Sequence, residues 1–400
     1  MKSKPNRRQF IEVLGLTTVA SAIHIPSVFS QETLTEKELK HGFLTPPYLQ
    51  ALSPNSVSIV CITSNKSFTW VEYGESDFSE KAHVEEDGFI DAYQTLFNIK
   101  LSNLKPDTNY RYRIVSKEIQ SFDPYKLVYG DVMESETYTF TTPKEQSEEV
   151  SCLIFNDIHD RPNSFAELMK YNDNVPFDFA VLNGDIFDYQ TDEKQIIDHL
   201  ITPITQLFAS HTPFIMSRGN HETRGKFARD FKNYFAYRGD KYYQAFRQGP
   251  IFWIFLDTGE DKPDNEPVYA GIVNYDSYRE EQARWLEKIM RSPDYRKAPF
   301  KVVCMHIPPF HSGDWHGTMH CRKLFTPLFE KNKIDLVISG HTHKYGVHQK
   351  QSNHSYPIVI GGGPKAGTRT IIQLQADRKN LKLNMIGDSG STVGELNIRK

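Results

Sequence analysis

The stretch CLIFNDIH, residues 152–159, joins a short apolar run to two residue types that bind metals. A short, bounded apolar run of this kind is consistent with a strand buried on both faces. Similar runs recur along the chain, at residues 177–182, 213–216, 251–256, 301–305, 334–338 and 358–360. Helical spacing of apolar residues over 193–210 and 277–292 separates some of these runs, so we predict an α/β layout with largely buried strands.

Metal-ligand residue types follow five of these runs within a few positions. In open α/β sheets, ligands collect at the carboxyl ends of the strands, so this placement gathers distant residues into one cleft. A single histidine at a strand end is usually structural, but five such placements together indicate a metal centre. The segments concerned are Asp157-Ile158-His159, Gly184-Asp185-Ile186-Phe187-Asp188, Gly219-Asn220-His221-Glu222, His306, and Gly340-His341-Thr342-His343.

The region from Tyr48 to Pro143 has a different pattern, in which apolar and polar residues alternate between turn residues. Such alternation predicts the half-buried strands of an all-β sandwich. The segment LSNLKPDTNYRY, residues 101–112, resembles the fibronectin type III signature, in which a tyrosine closes the corner between strands. We place the sandwich at residues 45–143, a polar linker at 144–150 and a second domain at 150–400, and we expect the sandwich to act as a spacer or packing platform.

The five segments that follow the strands resemble, in the same order, the signature of the calcineurin-like metallophosphoesterases. The resemblance covers roughly residues 150–365, and it implies a four-layer α/β domain, a β-sandwich flanked by helices. With the fibronectin III-like sandwich in front, the architecture resembles that of the purple acid phosphatases. The resemblance implies two metal sites that share Asp185: one with Asp157, His159, Asp185 and His343, the other with Asp185, Asn220, His306 and His341.

Two linked positions depart from the purple acid phosphatases. Those enzymes have Gly at the position of His159 and a metal-binding Tyr at the position of Asp188, whereas here Tyr189 comes one residue later. Gaining an imidazole offsets losing a tyrosinate, so the number of ligands is preserved and the iron-tyrosinate colour should be absent. Imidazole, carboxylate and amide ligands without thiolate favour zinc, manganese or iron, as two divalent or mixed-valence ions.

Further residues are candidates for catalysis and substrate binding. The resemblance implies that His221 is the general acid or a stabiliser of the phosphoryl charge, and that the carboxylate of Asp188 orients it. Arg218 is a candidate phosphate clamp, with a surface salt bridge as the alternative. The Pro- and Gly-containing segment 306–321 is predicted to be a loop whose histidines either line the substrate cleft or have no role in catalysis: His311, His316 and His320.

Composition and charge narrow the classes of function. The 400 residues include 47 basic and 50 acidic side chains, for a net charge of −3, and no basic stretch suggests a nucleic-acid partner. Four dispersed cysteines are too few for a disulfide framework. Residues 1–30, with Arg7, Arg8 and Phe10, resemble a twin-arginine signal, so we expect the Tat export machinery as a partner and a periplasmic or extracellular location. No membrane span is expected in the mature chain.

These features predict an exported phosphoesterase that uses two metal ions. The expected reaction is hydrolysis of small phosphate monoesters by a metal-bound hydroxide. The alternative is a phosphodiesterase acting on nucleotide or phospholipid-type diesters, because D-x-H together with G-H-T-H also occurs in phosphodiesterases of the superfamily. An alternative of another class is a non-catalytic surface-binding protein that acts through its fibronectin-like domain.

Overall fold

The structure, a computed structural model, describes residues 40–400. The predicted export signal at residues 1–30 lies outside the described residues. Among residues 40–400, no helix is both long enough and apolar enough to cross a membrane.

Within the described residues, the region from Tyr48 to Thr141 is all-β, as its alternating pattern predicts. Its strands are β1 (Tyr48–Ser53), β2 (Ser56–Gly74), β3 (Glu80–Ala82), β4 (Glu85–Glu86), β5 (Phe89–Ile90), β6 (Gln94–Ser102), β7 (Asn109–Asp123), β8 (Lys126–Glu134) and β9 (Tyr138–Thr141). The first half of β2 pairs with β1 and β6, and its second half pairs with β3 and β7. The main-chain N–H of Lys105 donates to the hydroxyl of Tyr110 at 2.9 Å, which is the type of contact that a tyrosine corner makes. The relation to fibronectin type III domains stays a prediction.

Two six-stranded sheets follow. Their strands are β10 (Val150–Phe155), β11 (Phe179–Asn183), β12 (Phe214–Ser217), β13 (Gln244–Gln248), β14 (Ile251–Leu256), β15 (Phe300–Met305), β16 (Leu336–Ser339), β17 (Gly346–His348), β18 (Ile358–Ile360), β19 (Thr370–Ala376), β20 (Asn380–Gly387) and β21 (Thr392–Arg399). The strand orders are β12-β11-β10-β19-β20-β21 and β13-β14-β15-β16-β18-β17. Parallel pairing of β10–β12 in one sheet and of β14–β16 with β18 in the other aligns their carboxyl ends.

Helices cover the outer faces of both sheets. They are α1 (Asn163–Met169), α2 (Glu193–Ile196), α3 (Thr202–Ile204), α4 (Tyr275–Ile289), α5 (Pro293–Lys297) and α6 (His316–Asn332), with 3₁₀ turns at Lys170–Asn172, His221–Thr223, Lys226–Arg229, Phe231–Tyr234 and Pro267–Tyr269. The predicted helix at 193–210 is present, but π-helical turns at Ile197–Ile201 and Thr205–Ala209 interrupt it. The prediction of a loop over the whole of 306–321 is wrong, because α6 begins at His316, after the last Pro and Gly of the preceding turn, and buries Phe325 and Phe329.

Apolar side chains fill the space between the layers. Ile154 and Val181 of one sheet pack against Trp253 and Val302 of the other. A second cluster joins α1, α2 and α3 to the first sheet, and a third joins α4, α5 and α6 to the second sheet. The predicted four-layer α/β arrangement is therefore confirmed.

The all-β region packs directly on this layered region. The buried hydroxyl of Tyr48 donates to the main-chain oxygen of Tyr234 at 2.7 Å, and that of Tyr112 donates to the oxygen of Ser210 at 2.8 Å. Residues 40–400 consequently form one compact unit. Residues 144–149 lie in neither helix nor strand, and the domain boundary at this point stays a prediction.

Candidate metal centre

The structure brings the predicted metal ligands together beyond the ends of β10, β11, β12, β15 and β16. Two groups share the carboxylate of Asp185, and the possible donor atoms within each group lie within 4.8 Å of one another. The side chain of Asn220 joins the second group, because its Oδ1 lies 2.9 Å from Nδ1 of His341. The groups are Asp157, His159, Asp185 and His343, and Asp185, His306 and His341.

Five of the predicted ligands have left-handed backbone conformations at turns. The φ angles are 53° for Asp157, 50° for His159, 53° for Asp185, 72° for His341 and 56° for His343. A non-glycine residue in this left-handed region costs on the order of 1–3 kcal/mol, and such residues cluster at functional sites. Main-chain bonds support the turns, since the N–H of Asp157 donates to Gly184 and that of His159 donates to Asp185, both at 3.0 Å. These bonds hold two ligand loops against each other.

Three glycines leave room for the ligands of neighbouring loops. Gly184, Gly219 and Gly340 each precede a predicted ligand in the chain. A Cβ on Gly184, whose φ is +85°, would lie 2.5 Å from Nδ1 of His306, and a Cβ on either other glycine would overlap a site carboxylate. The glycines of the G-D, G-N and G-H motifs are therefore required by close approach.

Hydrogen bonds fix the orientation of two of the predicted ligand histidines. Nδ1 of His159 lies 2.8 Å from Oδ1 of Asp188, and Nδ1 of His306 lies 2.8 Å from the main-chain oxygen of Asn183. Both partners are acceptors, so each histidine donates from Nδ1 and turns Nε2 toward the centre, where it would bind a cation. Within the described part of the chain, the buried Nε2 of His306 makes no hydrogen bond, although it lies 2.9 Å from Oδ2 of Asp185. A bound cation would satisfy both atoms.

The buried carboxylates of the centre stay ionised. Burial alone would raise the pKa of Asp157, but His306 and other facing histidines lower it to about 2. Burial alone would also raise the pKa of Asp185, but His306, His221 and His159 together lower it. Burial would lower the pKa of His306, but Asp185 and Asp157 raise it to about 10. Negative charge and a mixed imidazole, carboxylate and amide donor set fit a pair of divalent cations.

Glu222 binds the main chain of two loops that carry predicted ligands. Its fully buried carboxylate accepts the main-chain N–H groups of Asp185 at 2.9 Å, Ile186 at 2.7 Å, Phe187 at 3.2 Å and Gly219 at 2.7 Å. The sequence contains this residue in the G-N-H-E segment but gives no sign of its function. Four donors from two loops show that Glu222 fixes the loops relative to each other.

The structure corrects the predicted role of Asp188. Its carboxylate contacts His159 instead of His221, and Nδ1 of His221 lies 2.7 Å from the main-chain oxygen of Asp188. The main chain at Asp188 therefore orients His221. The carboxylate of Asp160 accepts the N–H of Asp188 at 2.8 Å, which fixes the position of this turn. The rings of His159 and His221 are in contact, with centroids 4.6 Å apart.

Arg224 is a charged residue of the site that sequence reasoning missed. Its Nη1 lies 2.9 Å from Nε2 of His221. The buried carboxylate of Glu260 holds the other side of the guanidinium, at 2.8 Å from Nε and 3.0 Å from Nη2. Arg224 lies just beyond the G-N-H-E segment, but only the fold shows that its side chain turns back to His221.

Arg218, the predicted phosphate clamp, binds Asp257 and Tyr242 instead of facing the predicted ligands. Its Nε lies 2.8 Å from Oδ2 of the buried Asp257, and its guanidinium lies 4.0 Å from the centre of the Tyr242 ring. Among the described residues it forms no hydrogen bond or ion pair with a predicted ligand. The salt bridge considered as an alternative is present, but it is buried instead of on the surface.

The three candidate substrate histidines do not join the ligand groups. Nε2 of His316 and Nδ1 of His320 lie 2.8 Å and 3.0 Å from Oδ1 of Asp276 on α4. The ring of His311 stacks on His348, with centroids 3.8 Å apart. The geometry gives no support to a substrate-binding role for these histidines, and that role stays a prediction.

Comparison with known proteins agrees with this geometry. A family model described as Calcineurin-like phosphoesterase matches residues 150–345. Purple acid phosphatase 1 of Ipomoea batatas is 26% identical over 314 residues, which cover 74% of this chain and 61% of that protein. A purple acid phosphatase of Glycine max is 30% identical over 167 residues, which cover 39% of this chain and 34% of that protein. The match therefore spans less than two thirds of the length of these two relatives.

Solved structures share the fold. A purple acid phosphatase from yellow lupin (Lupinus luteus) seeds superimposes with a TM-score of 0.68 at 16% identity, covering 89% of this chain and 74% of that one. The protein PhoD superimposes with a TM-score of 0.62 at 10% identity, covering 89% of each chain. At these identities the likeness concerns the fold alone.

Proposed function

Because residues 150–345 belong to the calcineurin-like phosphoesterase family, we propose that this protein hydrolyses phosphate esters at its metal centre and prefers small monoesters. The observation that carries the proposal is the pair of ligand groups that share Asp185. Similarity to purple acid phosphatases supports the choice of monoesters over diesters.

The residues of the centre divide between two metal ions. When bound, the ions supply Lewis-acid activation of water and neutralise charge on the phosphoryl group. The donor set favours zinc, manganese or iron. The first ion would be held by Asp157, His159, Asp185 and His343, and the second by Asp185, Asn220, His306 and His341.

His221 and Arg224 are the chain's own groups for the reaction. Hydrolysis breaks the bond between phosphorus and the ester oxygen, adds a water oxygen to phosphorus and gives a proton to the departing alcohol. His221 follows a predicted metal ligand and its Nδ1 is fixed, so Nε2 is the atom that would face the substrate. Because Nε2 accepts from Arg224 in the structure, it would act as a general acid only after leaving that contact and taking up a proton. Arg224, next to that Nε2, has a permanent positive charge that would stabilise the phosphoryl oxygens.

Kinetics with p-nitrophenyl phosphate and bis(p-nitrophenyl) phosphate test the proposal. We expect a higher kcat/KM for the monoester, loss of activity in a chelator and recovery on adding a divalent metal. His306→Ala should lose metal and activity together, whereas Lys331→Gln, an exposed position on α6, should keep both. Preference for the diester would favour a phosphodiesterase. Absence of metal-dependent hydrolysis of either ester would favour the non-catalytic surface-binding alternative.

Export through the Tat machinery is a second part of the proposal. The basic residues Arg7 and Arg8, followed by Phe10 and a mildly apolar run, support it. Replacing both arginines by lysine should retain the protein in the cytoplasm, as measured by cell fractionation. Unchanged export of this variant would contradict the proposal.

A further inference from the structure

A large cavity lies beside His221, on the side of Arg224. Its volume is about 900 Å³, within the roughly 300–1,000 Å³ typical of small-molecule sites. Arg224 lines the cavity and contacts His221, which in turn contacts the metal ligand His159. No predicted metal ligand lines the cavity itself, and Arg224 links its wall to the centre through His221.

Positive charge dominates this cavity. Seven basic and two acidic side chains line it, although the whole chain has a net charge of −3. Four of the basic groups are paired with carboxylates: Arg218 with Asp257, Arg224 with Glu260, Lys241 with Glu281, and Lys262 with Asp261. Within residues 40–400, the remaining three, Lys226, Arg229 and Lys232, have no carboxylate partner.

The three unpaired cations follow one another at intervals of three residues. Lys226 and Arg229 lie on one 3₁₀ turn, and Lys232 lies on the next. Side chains three residues apart eclipse in a 3₁₀ helix, so Lys226 and Arg229 project to the same side. Among residues 40–400, Lys232 donates to the main-chain oxygen of Asp240 and lies 6.0 Å from the centre of the Tyr242 ring, and no carboxylate pairs with its charge. Such a row of donors is suited to an anion.

Aromatic rings line the same cavity. Tyr242, Tyr275 and Tyr278 contribute to its wall. Arg218, which is ion-paired with Asp257, packs its guanidinium against the Tyr242 ring and so helps to hold the ring in place. Aromatic faces pack well against a flat ring of a ligand. The cavity therefore combines a surface for a ring with an unpaired row of positive charges.

We propose that this cavity binds the leaving group of the substrate, and that the preferred leaving group is an aromatic ring that carries its own anionic substituent. This inference rests on the proposed function and narrows its substrate class. With the reacting phosphate at the metal centre, the ring attached to its ester oxygen would extend past Arg224 into the cavity, whose wall includes Lys226 and Arg229.

Phenyl phosphate and 4-carboxyphenyl phosphate form a suitable pair of probes, because a carboxylate at this position changes the leaving-group basicity little. We expect the metal-loaded protein to prefer the carboxylated ester in kcat/KM. The double variant Lys226→Gln/Arg229→Gln should lower this preference roughly tenfold, the size expected for losing a charge-assisted hydrogen bond. Lys331→Gln is the control outside the cavity and should retain the preference.

Binding gives an independent readout. Titration calorimetry with benzylphosphonate and 4-carboxybenzylphosphonate should show tighter binding of the carboxylated compound, and the double variant should lose this difference. If phenyl phosphate is hydrolysed but neither kinetics nor binding distinguishes the members of a pair, the inference fails and the proposed function stands. If neither ester is hydrolysed, the proposed function fails, and the calorimetry alone decides whether the cavity binds anionic rings.

Discussion

At the scale of single residues, the contact between Asp188 and His159 explains how this centre differs from the purple acid phosphatases it resembles. The position of their tyrosine ligand holds a carboxylate that contacts the additional histidine at 2.8 Å. A carboxylate behind a ligand histidine fixes the ring and makes its free nitrogen a better donor. The two departures thus act together, because Asp188 orients the predicted ligand His159.

Asp188→Ala should therefore weaken the first metal site. Loss of such a supporting group typically lowers metal affinity by about 10- to 100-fold. Competition with a fluorescent metal indicator would measure this change, and Tyr189→Phe, at an exposed neighbouring position, is the control. Unchanged affinity in Asp188→Ala would contradict the supporting role.

His221→Ala should keep both metals and lose turnover, by about 100- to 10,000-fold if the residue is a general acid. The loss should be greater for an alkyl phosphate than for p-nitrophenyl phosphate, whose leaving group needs little proton donation. Equal losses for both esters, with metal content unchanged, would assign His221 to stabilising the phosphoryl group instead.

Iron-loaded protein should lack an intense visible tyrosinate band. Tyr189 is the tyrosine nearest in sequence to the expected ligand position, and it is 57% exposed. The preceding residue, Asp188, forms a hydrogen bond with His159. Absorption spectroscopy after anaerobic loading with iron and reoxidation measures the band. A strong purple colour would show that a tyrosine does reach the metal.

At the scale of elements, the turns after the strands determine the geometry of the centre. Gly340→Ala tests this, because the added methyl group would overlap the carboxylate of Asp157. We expect at least roughly tenfold weaker metal binding, as for other changes that disturb ligand support. Gly42→Ala is a matched control, since its added methyl would lie 3.7 Å from the nearest atom, in ordinary contact. Equal metal affinity of the two variants would contradict the close-approach argument.

The strands, and the gathering of the predicted ligands at their ends, were predictable, whereas the turns between the strands were less so. Apolar runs such as 152–155 and 251–256 indicate β10 and β14, because a buried strand needs an uninterrupted apolar run. No local pattern indicates that Arg224 returns to His221, or that Asp188 turns its carboxylate to His159. Both contacts depend on left-handed or 3₁₀ turns that only the assembled loops stabilise. The loop prediction at 306–321 failed at His316 because its Pro and Gly residues lie mostly in the first half.

At the scale of the whole molecule, the all-β region is integrated with the layered region through buried hydrogen bonds. Replacing Tyr48 and Tyr112 by Phe would leave two buried carbonyl groups without their donors. Each loss should lower the free energy of unfolding by about 1–3 kcal/mol. Urea unfolding followed by circular dichroism should show one shifted transition, because residues 40–400 form one unit. Tyr125→Phe, at a fully exposed position, is the control, and two separate transitions would contradict this integration.

The central position of β10 has a consequence for synthesis on the ribosome. This strand, which leads to Asp157, lies between β11 and β19, and β19 starts only at Thr370. Ribosomes add only about 5–20 residues per second. One edge of β10 therefore stays unpaired during the synthesis of more than half of the chain. An unpaired edge invites pairing with other chains. The nascent protein is therefore exposed to aggregation until residues 370–376 emerge and cover the strand that leads to Asp157.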